Sequence, residues 1–266
     1  MNVLDTGDRW LARALRAVAA LLLTGSAALA AAMLARGVHG LVETDLRALL
    51  PATRATLSCA VVATALGAVP GMAVAVYTAE LSEGPWRERA VRVLEVCAAL
   101  PGVVFGFAAL RLLGLLGVER GSTLVTGVVL AVMILPTVAL LSVEALRSAP
   151  EALREASEAL GASAWQTTWR VVVPSRWRGL AAAGGAGFAR AAGETVAVQL
   201  LASRGGGPRT LTARIIDELP RAPPSSAWNH SLFAMSLMLL ILSTGVALLA
   251  RPPARSSPSD EPSSLR

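Results

Sequence analysis

Residues 148–177 read SAPEALREASEALGASAWQTTWRVVVPSRW, the longest charged interruption between apolar runs in this chain. The stretch carries the punctuation of two short helices. Ser148 with Glu151 three residues on makes a capping-box pattern, and Pro150 falls in the first turn, where no amide hydrogen bond is lost. A helix can then run to Leu160, and Gly161 supplies the left-handed stop that ends helices at little steric cost. Ser163 with Gln166 repeats the capping box and opens a second helix, which Pro174 closes after Arg170-Val171-Val172-Val173. Trp165 and Trp169, four apart, share one face of it. A rigid pair jointed at a glycine can transmit a push that a floppy loop would absorb. The plainer reading is an amphipathic pair lying passively at a membrane surface.

The flanking runs are built for a bilayer. The chain has 266 residues, 54% hydrophobic and only 16% charged, with a mean hydropathy of +0.59, which places it among membrane proteins. Around 20 apolar residues cross a hydrocarbon core of about 30 Å. Six segments qualify, at 15–35, 55–79, 94–116, 121–143, 179–203 and 231–250. The predicted fold is therefore an all-α membrane protein with six transmembrane helices. Residues 1–14 form its N-terminus, 15–35 the first span, 55–250 the main transmembrane domain with the helix pair at 148–174, and 251–266 a Pro/Ser-rich tail expected to be disordered. Pro101 and Arg111 interrupt the third span, while Pro70 and Pro136 fall inside the second and fourth. Membrane helices tolerate such prolines because neighbours re-satisfy the backbone; kinked packing is the plain reading, a gating hinge the sharper one. The first run also looks like a secretory signal, ending in AALAAAMLA. A retained anchor is favoured, since cleavage would leave an odd number of spans.

All 24 basic residues are arginine. A P-loop needs a lysine to reach the phosphates, so this chain cannot carry that nucleotide site. With the N-terminus in the cytoplasm, 14 arginines fall inside and 9 outside, Arg190 lying within a span; this favours both termini in the cytoplasm. The same distribution accounts for a pI of about 11.0 without a nucleic-acid partner. Cys59 and Cys97 lie in apolar segments without metal or disulfide spacing, and His39 and His230 are placed as surface residues in separate loops. No Ser/His/Asp set, metal cluster or Gly-rich phosphate cradle is visible. The chain reads as a non-enzyme with no cofactor and no metal.

The fifth span, GLAAAGGAGFARAAGETVAVQLL, holds the chain's one mid-span ionisable pair, Arg190 and Glu194. Each charge costs roughly 2.5–3.5 kcal/mol at a helix centre. Four residues apart on a helix they share a face and can pair. A structural ion pair facing the bundle interior is one reading; residues of a transport pathway is the other. The Ala/Gly run 181–187 lets backbones approach closely, either within this chain or along a seam with a partner.

Glu155-Ala156-Ser157, three residues, Gly161, nine residues, then Val171-x-Val173-Pro174 resembles the E-A-A-x3-G-x9-[IV]-x-[LV]-P signature of ABC-importer permeases, with Ser157 where that family has alanine. The resemblance implies a type I ABC-importer permease fold with cytoplasmic termini. It also implies a loop seated in a cleft of a separate ATPase subunit, with Glu155, Ala156, Gly161, Val171 and Pro174 as coupling residues. The stretch ARAAGETVAV, 189–198, resembles the R-A-[LI]-G-E-T-x-[AP] run of permeases of the Pst-type phosphate importer. LPGVVFGFAALRLL (100–113) and the whole of 134–167 agree with it, and the similarity covers roughly 53–203. That resemblance implies phosphate as cargo, Arg190, Glu194 and Thr195 along its path, and a place in the bacterial inner membrane. Its implied partners are a second permease subunit, an ABC ATPase dimer and a periplasmic phosphate-binding protein. GETVAV followed by TLTARIIDEL leans to the PstC type, whereas the short 36–54 loop does not, so the PstA type stays open. Within 204–230, TLTARIIDEL reads either as a short docking helix for the binding protein or as a simple surface loop. Two rivals remain: a permease for another oxyanion, sulfate or molybdate, and a non-transporting phosphate-signalling subunit.

Overall fold

The computed structural model of the chain describes residues 6–44, 46–82, 84–119, 121–202, 208–224 and 226–249. The predicted disordered tail lies outside the described residues. Among those residues the chain is helical throughout, without strands. Helix α1 (Thr6–Glu43) extends well past the predicted first span at both ends, because nothing between 36 and 43 breaks it. It is followed by α2 (Leu46–Val76), which carries Pro51 and Pro70 internally and passes into a π-helical turn, Tyr77–Leu81. Helices α3 (Pro85–Ala99), α4 (Gly102–Leu115) and α5 (Thr123–Arg147) come next. The charged interruption then gives α6 (Glu151–Ala159), α7 (Ala164–Thr167), a second π turn at Thr168–Val172, and α8 (Val173–Ser175). Helices α9 (Trp177–Gly193), α10 (Val196–Leu201), α11 (Leu211–Glu218) and α12 (Ala227–Leu249) complete the order.

Four of these stretches are long and apolar enough to cross a bilayer: Trp10–Glu43, Leu49–Leu81, Thr123–Arg147 and Ala227–Val246. The other two predicted spans are not continuous helices. The third divides into α3 and α4, bent by 89°. Pro101 forces the bend: its ring clashes with a helical residue before it, and Leu100 accordingly sits at ψ 133°, in extended conformation. The fifth span stops at Gly193, turns through Glu194 and Thr195, and resumes as α10. Broken helices of this kind survive at membrane depth only where protein or a water-filled cavity surrounds them.

Contacts divide the chain into two units, Met1–Leu50 with Arg214–Met238, and Pro51–Ala213 with Leu239–Arg266. In the first, α1 meets the first half of α12 at backbone distance. A Cβ on Gly40 would lie 2.1 Å from the carbonyl oxygen of His230, and one on Gly37 would lie 2.6 Å from Leu237 Cβ. In the second unit, α5 is central and α9 packs along it. Gly187 allows this, since a Cβ there would reach 2.5 Å from Val138 Cγ2. Ala183, Gly184 and Gly187 of the Ala/Gly run are buried within this chain, so at these positions the run serves internal packing. The core joins Cys59, Ala60 and Ala63 of α2 to Leu130, Met133 and Ile134 of α5, with Ala191, Ala197 and Val198 closing it.

Candidate functional site: the jointed elbow and the broken spans

The helix pair forms an elbow whose joint is built as the sequence writes it. Gly161 has φ +81°. Its amide donates to Glu158 O (2.8 Å) and that of Ala162 to Ser157 O (3.2 Å), the two bonds of a Schellman stop. The Ser163–Gln166 capping box is present with both of its bonds, and Trp165 and Trp169 meet edge to face at 5.5 Å. Ser157, the departure from the family's alanine, shares a 2.9 Å hydrogen bond with Thr167 Oγ1 and so ties α6 to the end of α7.

Two details differ from expectation. Ser148 does not cap α6, because α5 runs on to Arg147 and Ser148 ends it, its hydroxyl donating to Ala145 O at 2.7 Å; Pro150 takes the N-cap position. Nor does Pro174 close the second helix. In the π turn Val173 donates to Thr168 O, and this wider turn accommodates the proline ring that would strike the carbonyl of an α-helical turn. The chain stays helical to Ser175 before turning at Arg176.

Two anchors hold the elbow to the spans. Val172, buried completely, lies among Ala75, Val76, Ala79, Val143, Leu146 and Leu180, with Val173 packed beside them. The other anchor is ionic. Arg154 of α6 grips Glu80, in the π turn that ends α2, with Nε and Nη2 at 3.2 and 2.8 Å from the two carboxylate oxygens. It also donates to Leu146 O and Ala149 O, 3.1 and 3.0 Å away, at and just beyond the end of α5. Glu80 is 6% exposed and Arg154 17%. Hydrogen bonding to Glu80 raises the guanidinium's pKa above its ordinary value, so the charge persists at any physiological pH. One side chain thus joins α2, α5 and α6. No local pattern announces this pair, since no spacing rule connects residues 74 apart.

Of the motif residues, Glu155, Ala156, Gly161 and Pro174 are exposed and Val171 and Val173 half-buried, while Val172, between the two valines, is buried. The elbow's outer surface also exposes Leu160 (90%), Trp165 (58%) and Trp169 (44%). A dense set of exposed large apolar side chains on a charged segment is the mark of a docking surface.

The predicted Arg190–Glu194 pair does not form, because Glu194 has left the helix at φ −69°, ψ 131°, and the i, i+4 register ends with Gly193. Arg190 instead donates to Thr137 Oγ1 (2.8 Å) on α5 and to Ala98 O (3.3 Å) in the last turn of α3. The Glu194 carboxylate is hydrogen-bonded at the start of α10 and packed against the start of α4. Its Oε1 accepts from the Ala197 amide in α10 at 3.1 Å, and a Cβ on Gly102, the first residue of α4, would stand 2.6 Å from either carboxylate oxygen. The partial positive charge at those ends replaces the arginine as its partner. Thr195, at the N-cap position of α10, donates to Gly193 O at 3.3 Å. The two span breaks therefore lie together: α4 packs on α10, and a Cβ on Gly106 would reach 2.7 Å from Ala197 Cα. Thr212 Oγ1 donates to Glu194 O (3.0 Å), and Thr56 Oγ1 accepts from the Leu211 amide (2.9 Å), which fixes the start of α11, the predicted short helix of the 204–230 region, beside the break.

This fold is that of a type I ABC-importer permease. The chain superimposes on a subunit in an inward-facing structure of the MetNI methionine ABC transporter with a TM-score of 0.65 at 20% identity, over 78% of this chain and 96% of that one. The chain belongs to the family of binding-protein-dependent transport system inner membrane components, whose model matches residues 71–251. It is 34% identical over 220 residues to the probable ABC transporter permease protein YqgH of Bacillus subtilis, covering 76% of this chain and 70% of that protein. To the phosphate transport system permease protein PstA of Mycobacterium leprae it is 30% identical, covering 81% and 78%. With the PstC protein of Mesorhizobium japonicum identity is 26%, covering 69% of this chain and 66% of that protein. The chain is thus a multi-pass membrane permease component and not the catalytic part of its transporter.

A prediction concerns the joint. A Cβ on Gly161 would meet nothing within 4 Å, so any penalty there is purely conformational. Gly161→Ala is expected to destabilise the elbow by about 1 kcal/mol, and Gly161→Asn by less, because asparagine tolerates left-handed backbone. Hydrogen exchange of the 151–175 amides checks this: faster exchange in the alanine variant than in the asparagine variant is expected, and equal rates would refute a conformational origin.

Proposed function

We propose that the chain is one permease half of an ATP-driven phosphate importer in a bacterial inner membrane, with both termini cytoplasmic. It assembles with a second permease subunit, an ABC ATPase dimer that performs the hydrolysis, and a periplasmic phosphate-binding protein. The observation that carries this reading is the setting of Arg190, a guanidinium held by Thr137 and the Ala98 carbonyl where the third span bends. Its planar fork leaves further N–H donors for a tetrahedral oxyanion. The phosphate permeases among the relatives support the choice of cargo. Arg190, Glu194 and Thr195 contribute to the path. Glu194 shapes it by clamping the starts of α4 and α10.

Coupling runs through the elbow. Glu155, Ala156, Gly161 and the exposed tryptophans face the ATPase, while Val171 and Pro174 lie in the segment that leads back to α9. Closure of the ATPase pair pushes α6, and Arg154 and Val172 pass the displacement to the ends of α2 and α5. α11, pinned by Thr56 and Thr212, is the docking helix for the binding protein.

Reconstituting the chain with its partner subunits in proteoliposomes tests the cargo. ATP-dependent accumulation of radiolabelled phosphate, undiminished by excess sulfate or molybdate, is expected. Accumulation of sulfate or molybdate in place of phosphate would assign another oxyanion, and ATP-independent behaviour with no vectorial transport would leave a signalling subunit.

A further inference from the structure

The chain has two histidines, 191 positions apart, which the sequence predicts in separate surface loops. Both lie in helices instead, His39 in the last turns of α1 and His230 near the start of α12, within the same unit. Their ring centroids are 5.1 Å apart in an edge-to-face arrangement. Glu43, one turn beyond His39, stands between them: Oε1 lies 3.4 Å from His39 Nδ1, and Oε2 contacts His230 Nδ1 directly. The close approach of backbones at Gly37 and Gly40 makes this meeting possible.

From this geometry we propose that His39, Glu43 and His230 form a binding site for a divalent transition-metal ion of borderline softness, zinc foremost, which clasps α1 to α12. Imidazole and carboxylate are the donor set such ions take, and three protein ligands with solvent in the fourth position is a familiar tetrahedral arrangement. Ligands at about 2.0–2.2 Å from a tetrahedral ion stand about 3.4 Å from one another. Here one donor atom from each residue lies within 4.8 Å of the others, a gap that side-chain rotation closes. The side chains of His39 and Glu43 are 62% and 39% exposed, so an ion reaches them without unfolding. The carbonyl end of α1, where Glu43 is the last residue, adds a favourable field for a cation. A plain hydrogen-bonded His–Glu–His cluster is the competing reading, and it predicts no metal.

The test is titration of the purified full-length chain, prepared without a histidine tag, with Zn²⁺ by calorimetry and with Co²⁺ by visible absorption. One ion per chain, with tetrahedral ligand-field bands for cobalt, is expected. His39→Gln and His230→Gln should each weaken zinc binding by about a hundredfold or more, whereas Cys97→Ser should bind as the parent does. Unchanged affinity in either histidine variant, or loss of the ion in Cys97→Ser, would overturn the proposal. A measurement on the parent chain avoids any folding defect: Zn²⁺ should shield both histidines from diethyl pyrocarbonate, read by mass spectrometry, and equal modification with and without the ion would overturn it too.

Discussion

Arg154→Ala is expected to abolish the coupling of ATP hydrolysis to transport and to destabilise the chain by about 3–5 kcal/mol, the usual cost of stranding one member of a buried ion pair. The size follows from what is left behind. Glu80, 6% exposed, would lose both oxygens' partners at once. The carbonyls of Leu146 and Ala149, at and just beyond the end of α5, would lose a donor as well. The two consequences can be separated. Replacing both residues with apolar side chains, Glu80→Leu with Arg154→Met, removes the stranded charge and should recover most of the stability, since buried pairs are often no more stabilising than packed apolar groups. It should not recover full coupling, because a bidentate pair fixes direction and distance in a way that apolar packing does not. Thermal unfolding in detergent reads the first effect, and phosphate moved per ATP hydrolysed in proteoliposomes reads the second. Parental coupling in Arg154→Ala would exclude the ion pair from force transfer.

Arg190→Gln is expected to lower phosphate uptake about a hundredfold while membrane insertion and assembly with partner subunits stay intact. Hydrogen bonds to a charged group contribute about 1.5–3 kcal/mol, and roughly 3 kcal/mol corresponds to two decades. Glutamine can still reach a neutral partner such as Thr137 Oγ1, which keeps the local packing while removing charge and fork. Arg190→Lys should fall between the two, keeping the charge but not the planar fork. Uptake at the parental rate in Arg190→Gln, with the assembled complex confirmed by size-exclusion chromatography, would take this arginine out of the path.

Much of the architecture was legible beforehand for local reasons. The apolar runs, the Gly161 stop and the Ser163–Gln166 box depend on neighbours within a few residues, and a helix or its end follows from such neighbours directly. The break at Pro101 was half legible, since the proline was visible but the 89° bend was not. The fold departs from expectation where a helix had to continue. Arg190 and Glu194 are four apart in the chain, yet they share a helix face only if the helix continues through Glu194, and Glu194 is extended.

The chain's composition and local patterning dictate that it crosses a membrane several times and carries a capped, glycine-jointed helix pair between spans, because burial in lipid and helix capping are short-range demands. Folding alone settles who partners whom: Arg154 with Glu80, Glu194 with the starts of α4 and α10, and His39 with His230. These pairings arise because helices far apart in the chain are pressed to within glycine distance, and a buried polar group then takes whichever partner that packing brings within reach.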